Sequence, residues 1–334
     1  MPTSREVAVQ GLAVSLQRAL AQREREGRAA SGRAPTARPL AAGAGWSVDD
    51  VVCTFGPGDR PYEERHTSAC LAVVAAGVFG YRSGNARALM TPGALMLGET
   101  GACFECGHRH AAGDRCLSFH YDPGWLDEQA AAAGLAPGAR RWRAARVPPV
   151  RALAPLVAHA CADALAQERD HATGVVAWSE IALELALATL RVVASGKDAA
   201  TPATPGAAAA ARVVATLRLI DETPDDAHTL ASLASAAGVS EFYFLRTFSA
   251  VAGVTPHQYL LRARLRAAAL RLAADDEAKI VDVALASGFN DLSNFNAAFR
   301  AEFGASPRAW RVAQRERSLA QTSWPNAAQA AARA

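Results

Sequence analysis

The chain has 334 residues, enough for about two domains of ordinary size, and 51% of them are hydrophobic, so a large buried core is possible. The formal net charge of +3 is too small to indicate nucleic-acid binding, and the longest apolar run, from Leu71, is far shorter than the roughly 20 residues that span a bilayer. Because no apolar signal region opens the chain, we predict a soluble cytoplasmic protein with no membrane partner, whose six cysteines are thiols or metal ligands.

Residues 1–45 are rich in Ala, Arg, Gly and Pro, a composition that predicts a flexible extension. Within this extension, residues 7–26 have the pattern of an amphipathic helix. From residue 46 to about residue 121 the chain changes to short apolar runs separated by Gly, Pro and Asp turns. Several short strands at this spacing are typical of a small sandwich or barrel.

The segment from Cys103 to Cys116 contains three cysteines, two histidines and an aspartate. Thiolates and imidazoles are the ligands that zinc prefers, provided that they converge tetrahedrally. In an extended strand alternate residues share a face, so Cys106, His108 and His110 would lie together. We predict a zinc site formed by Cys106, His108, His110 and Cys116. His66 and Cys70 are more distant candidates.

Four other interpretations of this segment remain open. The residues can be ordinary strand and turn residues, since the paired CxxC spacing of a zinc finger is missing. Cys106 or Cys116 can be a thiol sensor if neighbouring arginines lower its pKa. The HxHxxxD pattern that begins at His108 can hold a metal in an enzyme, and a cysteine can accept a methyl group. The chain contains no GxSxG, GxxxxGK or GxGxxG motif, so hydrolase, P-loop and dinucleotide sites are not indicated.

Residues 148–195 contain two helical patterns, and the second is apolar around most of its circumference. A helix of that kind must be covered on two sides. The sequence permits two interpretations: the barrel covers one side and a partner subunit the other, or the packing is wholly internal. Residues 196–210 combine Pro, Gly and small residues, and we predict an interdomain linker there.

The last hundred residues contain an internal duplication. In the first part the offset is fifty residues, and Leu230, Leu233, Ala234 and Gly238 match Ile280, Val283, Ala284 and Gly288. After the glycine the offset becomes fifty-one, and Ser240, Phe244, Phe248, Gly253, Pro256 and Tyr259 match Asp291, Phe295, Phe299, Gly304, Pro307 and Trp310.

Each copy predicts two short helices that meet at a tight turn. A glycine permits the positive φ that ends the first helix, and Ser240 or Asp291 caps the second. The paired phenylalanines lie one helical turn apart and are predicted to face the core. This is the helix-turn-helix pattern, in which the second helix enters the major groove of DNA. A breaker-free helix over residues 257–273 would hold the copies at a fixed separation, which favours DNA over a protein partner.

The segment from about residue 211 to residue 311 resembles the DNA-binding domain of the AraC/XylS family of bacterial transcription regulators. The second copy carries the resemblance at Ile280, Val283, Ala284, Gly288, Phe289, Phe295, Phe299, Arg300, Phe303, Gly304, Pro307 and Arg311. The resemblance implies a sequence-specific activator that binds double-stranded DNA, contacts RNA polymerase, responds to a small-molecule or metal effector and forms a homodimer. It implies no enzymatic activity.

Residues on the outward faces of the second helices are the candidate DNA contacts. They are Phe242, Leu245, Arg246, Ser249, Ser293, Asn294, Asn296 and Arg300. The resemblance places Phe242, Leu245 and Arg246 at base-contacting positions. A guanidinium can bind guanine bidentately, although Arg246 can also contact a phosphate or brace a neighbouring helix. We interpret Arg300 and Arg311 as phosphate clamps or bracing residues, and the arginines at 262, 264 and 266 as solvated surface.

The resemblance also implies the architecture, which we predict to be α+β. A cupin-like β-barrel with a helical dimerisation segment occupies residues 46–195, and residues 196–210 are the linker. An all-α domain of two helix-turn-helix units, with seven helices, occupies residues 211–317, and residues 318–334 form a flexible tail. Cys106 stands where many relatives have histidine. The alternative function is a metal-dependent cupin enzyme fused to a DNA-binding module.

Overall fold

The computed structural model describes residues 11–26, 35–84, 86–170, 175–196 and 206–322. Its strands are β1 (Thr36–Gly43), β2 (Trp46–Cys53), β3 (Glu63–Arg65), β4 (Ala69–Gly77), β5 (Phe79–Ser83), β6 (Ala86–Met90), β7 (Leu95–Gly98), β8 (Cys103–Gly107), β9 (Asp114–Tyr121) and β10 (Arg146–Val147). Its α-helices are α1 (Gly11–Glu26), α2 (Pro123–Ala132), α3 (Ala154–Asp170), α4 (Val175–Ser195), α5 (Ala207–Glu222), α6 (Leu230–Ala236), α7 (Glu241–Ala252), α8 (Pro256–Ala274), α9 (Ile280–Ala286), α10 (Leu292–Phe303) and α11 (Pro307–Thr322). The predicted α+β class is confirmed, because the strands lie in the first half and the helix-turn-helix region is helical.

The strands form two antiparallel sheets that pack face to face. The larger sheet has the order β1-β2-β9-β4-β7-β10 and the smaller has the order β3-β8-β5-β6. Alternate side chains of β4 and β9, such as Cys70 and Cys116, pack against Phe79 and Tyr81 of β5 in one core between the sheets. This arrangement agrees with the small sandwich or barrel that the strand spacing predicts. The likeness to a cupin stays a prediction.

The other face of the larger sheet is covered by α1, α2, α3 and α4. Leu71, Leu117 and Phe119 on this face belong to one core with Trp178 and Leu185 of α4. The apolar circumference of α4 is therefore covered within the chain, because sheet residues lie on one side and α3 and α11 on the other. The wholly internal interpretation explains this helix, and the homodimer stays a prediction.

Two predicted boundaries need correction. Residues 11–26 and 36–43 are not a flexible extension: α1 buries Leu12 and Leu16, and β1 pairs with β2 and buries Leu40. The Ala- and Pro-rich composition of residues 36–43 does not predict a strand, because β1 is stabilised by its pairing with β2 rather than by its own residue types. The helical domain begins at α5, slightly before residue 211, and α11 extends past residue 317. Linker residues 197–205 and tail residues 323–334 lie outside the described residues.

A buried ion pair joins the larger sheet to α3. The guanidinium of Arg115, whose side chain is 1% exposed, donates to both carboxylate oxygens of Asp50 at 2.8 and 2.7 Å. It also donates to Glu168 of α3 at 3.2 Å. Burial alone would raise the pKa of Asp50, but the hydrogen bonds from Arg115 and Arg38 lower it. Each buried charge therefore has a partner of opposite charge, which offsets the free-energy cost of removing the charge from water.

The helices α5 to α11 are the seven helices predicted for the C-terminal region. They enclose two separate cores, one around Phe244 and Phe248 and one around Phe295 and Phe299. None of the described helices has the length and apolar character needed to cross a lipid bilayer.

Candidate functional site

The predicted zinc set does not come together in the structure. β8 ends at Gly107 and the chain then turns, so the alternation that would put Cys106, His108 and His110 on one face stops there. Cys106 packs in the core between the sheets, while His110 lines a cavity near the helical region. For the same reason the HxHxxxD pattern does not place His110 beside His108 and Asp114.

The structure instead gathers Cys53, His108 and Asp114, all three buried. One ligand atom from each lies within 4.8 Å of the others, and the Nε2 of His108 is 2.6 Å from Asp114 Oδ1. Burial and the nearby Asp114 raise the pKa of Cys53 to about 12. Sequence reasoning missed Cys53, because only the antiparallel pairing of β2 with β9 places it opposite Asp114.

The thiol-sensor interpretation requires a low-pKa thiolate, which the structure does not provide at the two candidate positions. Burial raises the pKa of Cys106 and of Cys116 well above the ordinary value, and the charge of Asp114 raises both further. Arg115 points away from Cys116 to its carboxylate partners. The distant candidates His66 and Cys70 hydrogen-bond elsewhere, to Tyr81 and Ser118.

A cavity of about 460 Å³ lies between the smaller sheet and the helical region. Phe79, Arg87 and His110 form part of one wall, and Val214 of α5 and Val251 of α7 belong to the other. Because both halves of the chain line this cavity, a ligand there would contact both.

The first helix-turn-helix unit consists of α6 and α7. Thr229 and Ser232 form a capping box at the start of α6. The hydroxyl of Ser240 caps α7 by accepting from the backbone N–H of Tyr243 at 3.4 Å, and α7 ends at Gly253, which has a φ of 78°. The predicted N-cap and C-terminal glycine are both present.

The second unit, α9 and α10, repeats this geometry. Asp291 Oδ1 accepts from the backbone N–H of Asn294 at 2.6 Å, and Gly304 ends α10 with a φ of 72°. Phe295 and Phe299 are fully buried, as are their counterparts Phe244 and Phe248 in the first unit. The inward side of each second helix is therefore fixed by packing, which leaves its opposite side free to contact a partner.

The outward face of α7 has an unusual composition. Phe242 is 75% exposed, and Leu245 and Arg246 beside it are exposed as well, while Ser249 is half-buried. Within the described residues the guanidinium of Arg246 forms no hydrogen bond, so it is available to an external acceptor. A cation beside apolar surface matches the chemistry of guanine edges and thymine methyl groups in the major groove.

The outward face of α10 carries less charge. Ser293, Asn294 and Arg300 are exposed and Asn296 is half-buried. This composition agrees with a helix that contributes positioning contacts more than base reading.

Comparison with known proteins places this region in a family. A family model described as a helix-turn-helix domain matches residues 233–313. The chain is 36% identical over 109 residues to the RCS-specific HTH-type transcriptional activator RclR of Escherichia coli, a match that covers 33% of this chain and 37% of that protein. It is 39% identical over 95 residues to the transcriptional activator NphR of Rhodococcus, covering 28% of each.

Residues 233–313 form an AraC-type helix-turn-helix domain. A solved AraC-type regulator from Chromobacterium violaceum is 26% identical, with 31% of this chain and 91% of that chain covered and a TM-score of 0.29. The ToxT structure from Vibrio cholerae covers 81% of this chain and 98% of its own at 11% identity and a TM-score of 0.30. The matches to the curated relatives span only about a third of their length.

The arginines on α8 brace the AraC-type domain, so their interpretation as solvated surface is corrected. Arg264 donates to the carbonyl oxygens of Pro224 and Asp226 at 2.7 and 2.8 Å. Arg266 lies 3.6 Å from Asp221 and over the ring of Tyr259. Arg311 on α11 also braces the domain, through the carbonyls of Asp276 and Ala278.

The N-terminal half contacts both helix-turn-helix units. Arg146 of β10 donates to the carbonyl of Ala252 at the end of α7. Arg262 donates to the carbonyl of Pro149 and pairs with Glu302 of α10 at 3.2 Å. The ring of His159 on α3 stacks on Trp310 at 4.1 Å and its Nδ1 hydrogen-bonds Gln314. These contacts hold the AraC-type domain in one position relative to the sheets.

The contact between α3 and α11 is expected to weaken in acid. Burial and the charge of Arg317 together lower the pKa of His159 from 6.5 to about 4, although the hydrogen bond with Gln314 opposes the shift. The folded protein therefore binds fewer protons at this ring than the unfolded chain, and the stability it contributes is lost as the pH falls from 6.5 to 4. Acidification from pH 7 to pH 5 should lower the melting temperature of the wild type more than that of His159→Phe, which keeps the stack without titrating.

Asp163, one turn further along α3, should give the opposite pH dependence of stability and serves as a control. Burial raises the pKa of Asp163 from 3.8 to about 6, although Arg317 opposes the rise. The stability that Asp163 contributes to the folded protein is fully present below pH 3.8 and is lost as the pH rises through 6. The difference between the wild type and Asp163→Asn should therefore change with pH in the opposite direction. If the melting temperatures of the wild type and of His159→Phe fell equally between pH 7 and pH 5, the predicted role of His159 would be wrong.

Proposed function

We propose that the protein is a sequence-specific, DNA-binding transcription regulator of the AraC/XylS type. The observation that carries this proposal is the duplicated unit, in which two capped helices with phenylalanine-packed inner sides each leave an outward face exposed. The relatives that match the C-terminal region are named as transcription regulators or activators. Double-stranded DNA is the partner, and an activator would also contact RNA polymerase in the cytoplasm.

We further propose that the N-terminal half is the sensory domain, joined through the linker to the DNA-binding domain. The cavity of about 460 Å³ between the two halves supports an effector site, because its occupant would touch both. An effector can shift the regulator toward a DNA-competent arrangement only if it binds that arrangement more tightly than the other. A homodimer, with one operator half-site for each protomer, completes this proposal.

Replacing Arg246 with alanine tests the DNA-reading face. The target sequence is first selected from a random duplex library by the wild-type protein. Loss of a bidentate contact to guanine should weaken binding to that target by about 1–3 kcal/mol, roughly 5- to 150-fold, while binding to random duplex changes little. The measurement is the dissociation constant for both duplexes at one fixed salt concentration.

Arg218→Ala is the matched control. It removes the same charge from an exposed side chain on α5 that pairs with Glu222 one turn later and lies outside the proposed DNA-reading faces. Its dissociation constants should stay close to those of the wild type. Equal weakening of both duplexes by Arg246→Ala would make Arg246 a phosphate contact, and selection of no preferred sequence at all would overturn the proposed function.

A further inference from the structure

None of Cys53, His108 and Asp114 lies on a DNA-reading face or lines the cavity, although the ring of His108 stacks on Phe79, which does line it. The residues of this cluster come from three places: the end of β2, the turn that follows β8 and the start of β9. Their ligand atoms lie within 4.8 Å of one another, and the ligand atoms of tetrahedral zinc lie about 3.3–3.8 Å apart. All three residues are buried.

A hydrogen bond between His108 and Asp114 does not by itself satisfy this cluster. The side chain of His108 is 1% exposed, and within the part of the chain that the structure describes its Nδ1 has no hydrogen-bond partner. No described arginine or lysine forms an ion pair with Asp114. The side-chain partners of the buried Asp114 carboxylate are His108 and the Cys116 thiol, neither of which carries a fixed positive charge, so a bound cation would stabilise it.

The donor set selects the class of cation. One thiolate and one carboxylate balance a divalent charge, and the imidazole ligates as a neutral group, so the filled site would be electrically neutral. Mixed sulfur, nitrogen and oxygen donors suit zinc better than magnesium or calcium, which prefer oxygen ligands alone. Cys116 lies on the same face of β9 and donates its S–H to Asp114 Oδ2 across 3.4 Å, so it is a neutral neighbour of the site and is not counted among the ligands.

The position of the cluster connects it to the AraC-type domain. His108 and Asp114 bracket the turn of residues 108–113, and Ala111 within that turn is 4% exposed. Ala111 belongs to the same core as Val213 and Val214 of α5 and Phe248 of the first helix-turn-helix unit. An ion bound at both ends of the turn would therefore fix the surface against which that unit packs.

We propose that Cys53, His108 and Asp114 bind a divalent metal ion of the zinc type, and that the ion fixes the turn of residues 108–113 against the first helix-turn-helix unit. The proposed metal site is supported by the cluster of Cys53, His108 and Asp114 and does not depend on the proposed function. Its effect on DNA binding rests on the proposed function.

The test measures metal content and cobalt spectra of the full-length, untagged protein. The wild type should carry about one zinc per chain, and cobalt substitution should give a thiolate-to-metal charge-transfer band. Both should be lost in the near-isosteric variants Cys53→Ser and Asp114→Asn. Cys103→Ser, in the same cysteine-rich segment but outside the cluster, and His110→Ala, from the sequence-predicted set, should keep them.

Zinc removal should also raise hydrogen exchange in residues 108–113 and in α5, with no change in α10. Circular dichroism shows whether each variant is folded, and binding to the selected duplex is measured separately as the readout of the proposed function. A folded wild type that takes up neither zinc nor cobalt would overturn the metal site, as would full metal retention in both cluster variants. DNA binding in those samples would leave the proposed function intact, whereas metal binding without DNA binding would overturn that function alone.

Discussion

Phe299→Ala is expected to destabilise the second helix-turn-helix unit by about 3–5 kcal/mol, the cost of emptying a fully buried aromatic site. The ring of Phe299 is completely buried between Phe295, Phe303 and Trp310, with centroid separations of 5.5, 4.5 and 6.1 Å. These rings hold α10 against α11, so the shortened side chain leaves a cavity that rigid aromatic neighbours fill poorly. Binding to the selected duplex should fall with it, because α10 loses its fixed orientation.

The loss should be local, because the two units have separate cores. Hydrogen exchange followed by mass spectrometry should show faster exchange in α9 and α10 and unchanged protection in α6 and α7. Leu285→Ala is the control: this side chain on α9 is 57% exposed, and its removal should cost less than about 1 kcal/mol. Equal loss of protection in both units would show that they unfold as one body.

Arg115→Met is expected to destabilise the N-terminal half by about 3–5 kcal/mol, because it leaves the buried carboxylate of Asp50 without its main partner. Asp50 keeps only the more exposed Arg38, at 2.9 Å, and α3 loses its link through Glu168. The measurement is the free energy of unfolding in urea at pH 7.5. Adding Asp50→Asn to Arg115→Met should recover part of the loss, since the stranded charge is then gone.

The pH dependence of this loss has a definite sign. Because the pKa of Asp50 is lowered in the folded protein, the stability from this pair is present above the ordinary value of 3.8 and is lost as the pH falls below it. The difference between wild type and Arg115→Met should therefore shrink in acid. Arg82→Met breaks the exposed pair with Glu105 and should cost far less stability than Arg115→Met. A comparable cost for both variants would contradict the role of burial.

The AraC-type domain is the part that sequence reasoning predicted best. Its signals are local: Ser240 and Asp291 cap helices within three residues, and Gly253 and Gly304 adopt the positive φ that ends them. The duplication shows the same pattern of caps, glycines and phenylalanines a second time, which supports the prediction independently. Exposure of Phe242 and Arg246 follows from helical periodicity once Phe244 and Phe248 are assigned to the core.

The arginines of α8 and the start of the chain show where such reasoning failed. Helical spacing says which face Arg264 occupies but not that the carbonyls of Pro224 and Asp226 lie there to accept its hydrogen bonds. Composition likewise marked residues 36–43 as flexible, although β1 is stabilised by its pairing with β2. Both errors concern partners that are distant along the chain.

By itself, then, the sequence determined the helix-turn-helix units, because caps, glycines and aromatic spacing act within a few residues. Only the tertiary structure determined which residues form the proposed metal-binding cluster. The end of β8 at Gly107 turned His110 away from His108, and the pairing of β2 with β9 brought Cys53 opposite Asp114. Strand pairing joins residues at any separation along the chain, so no local pattern around Cys53 could reveal its neighbours.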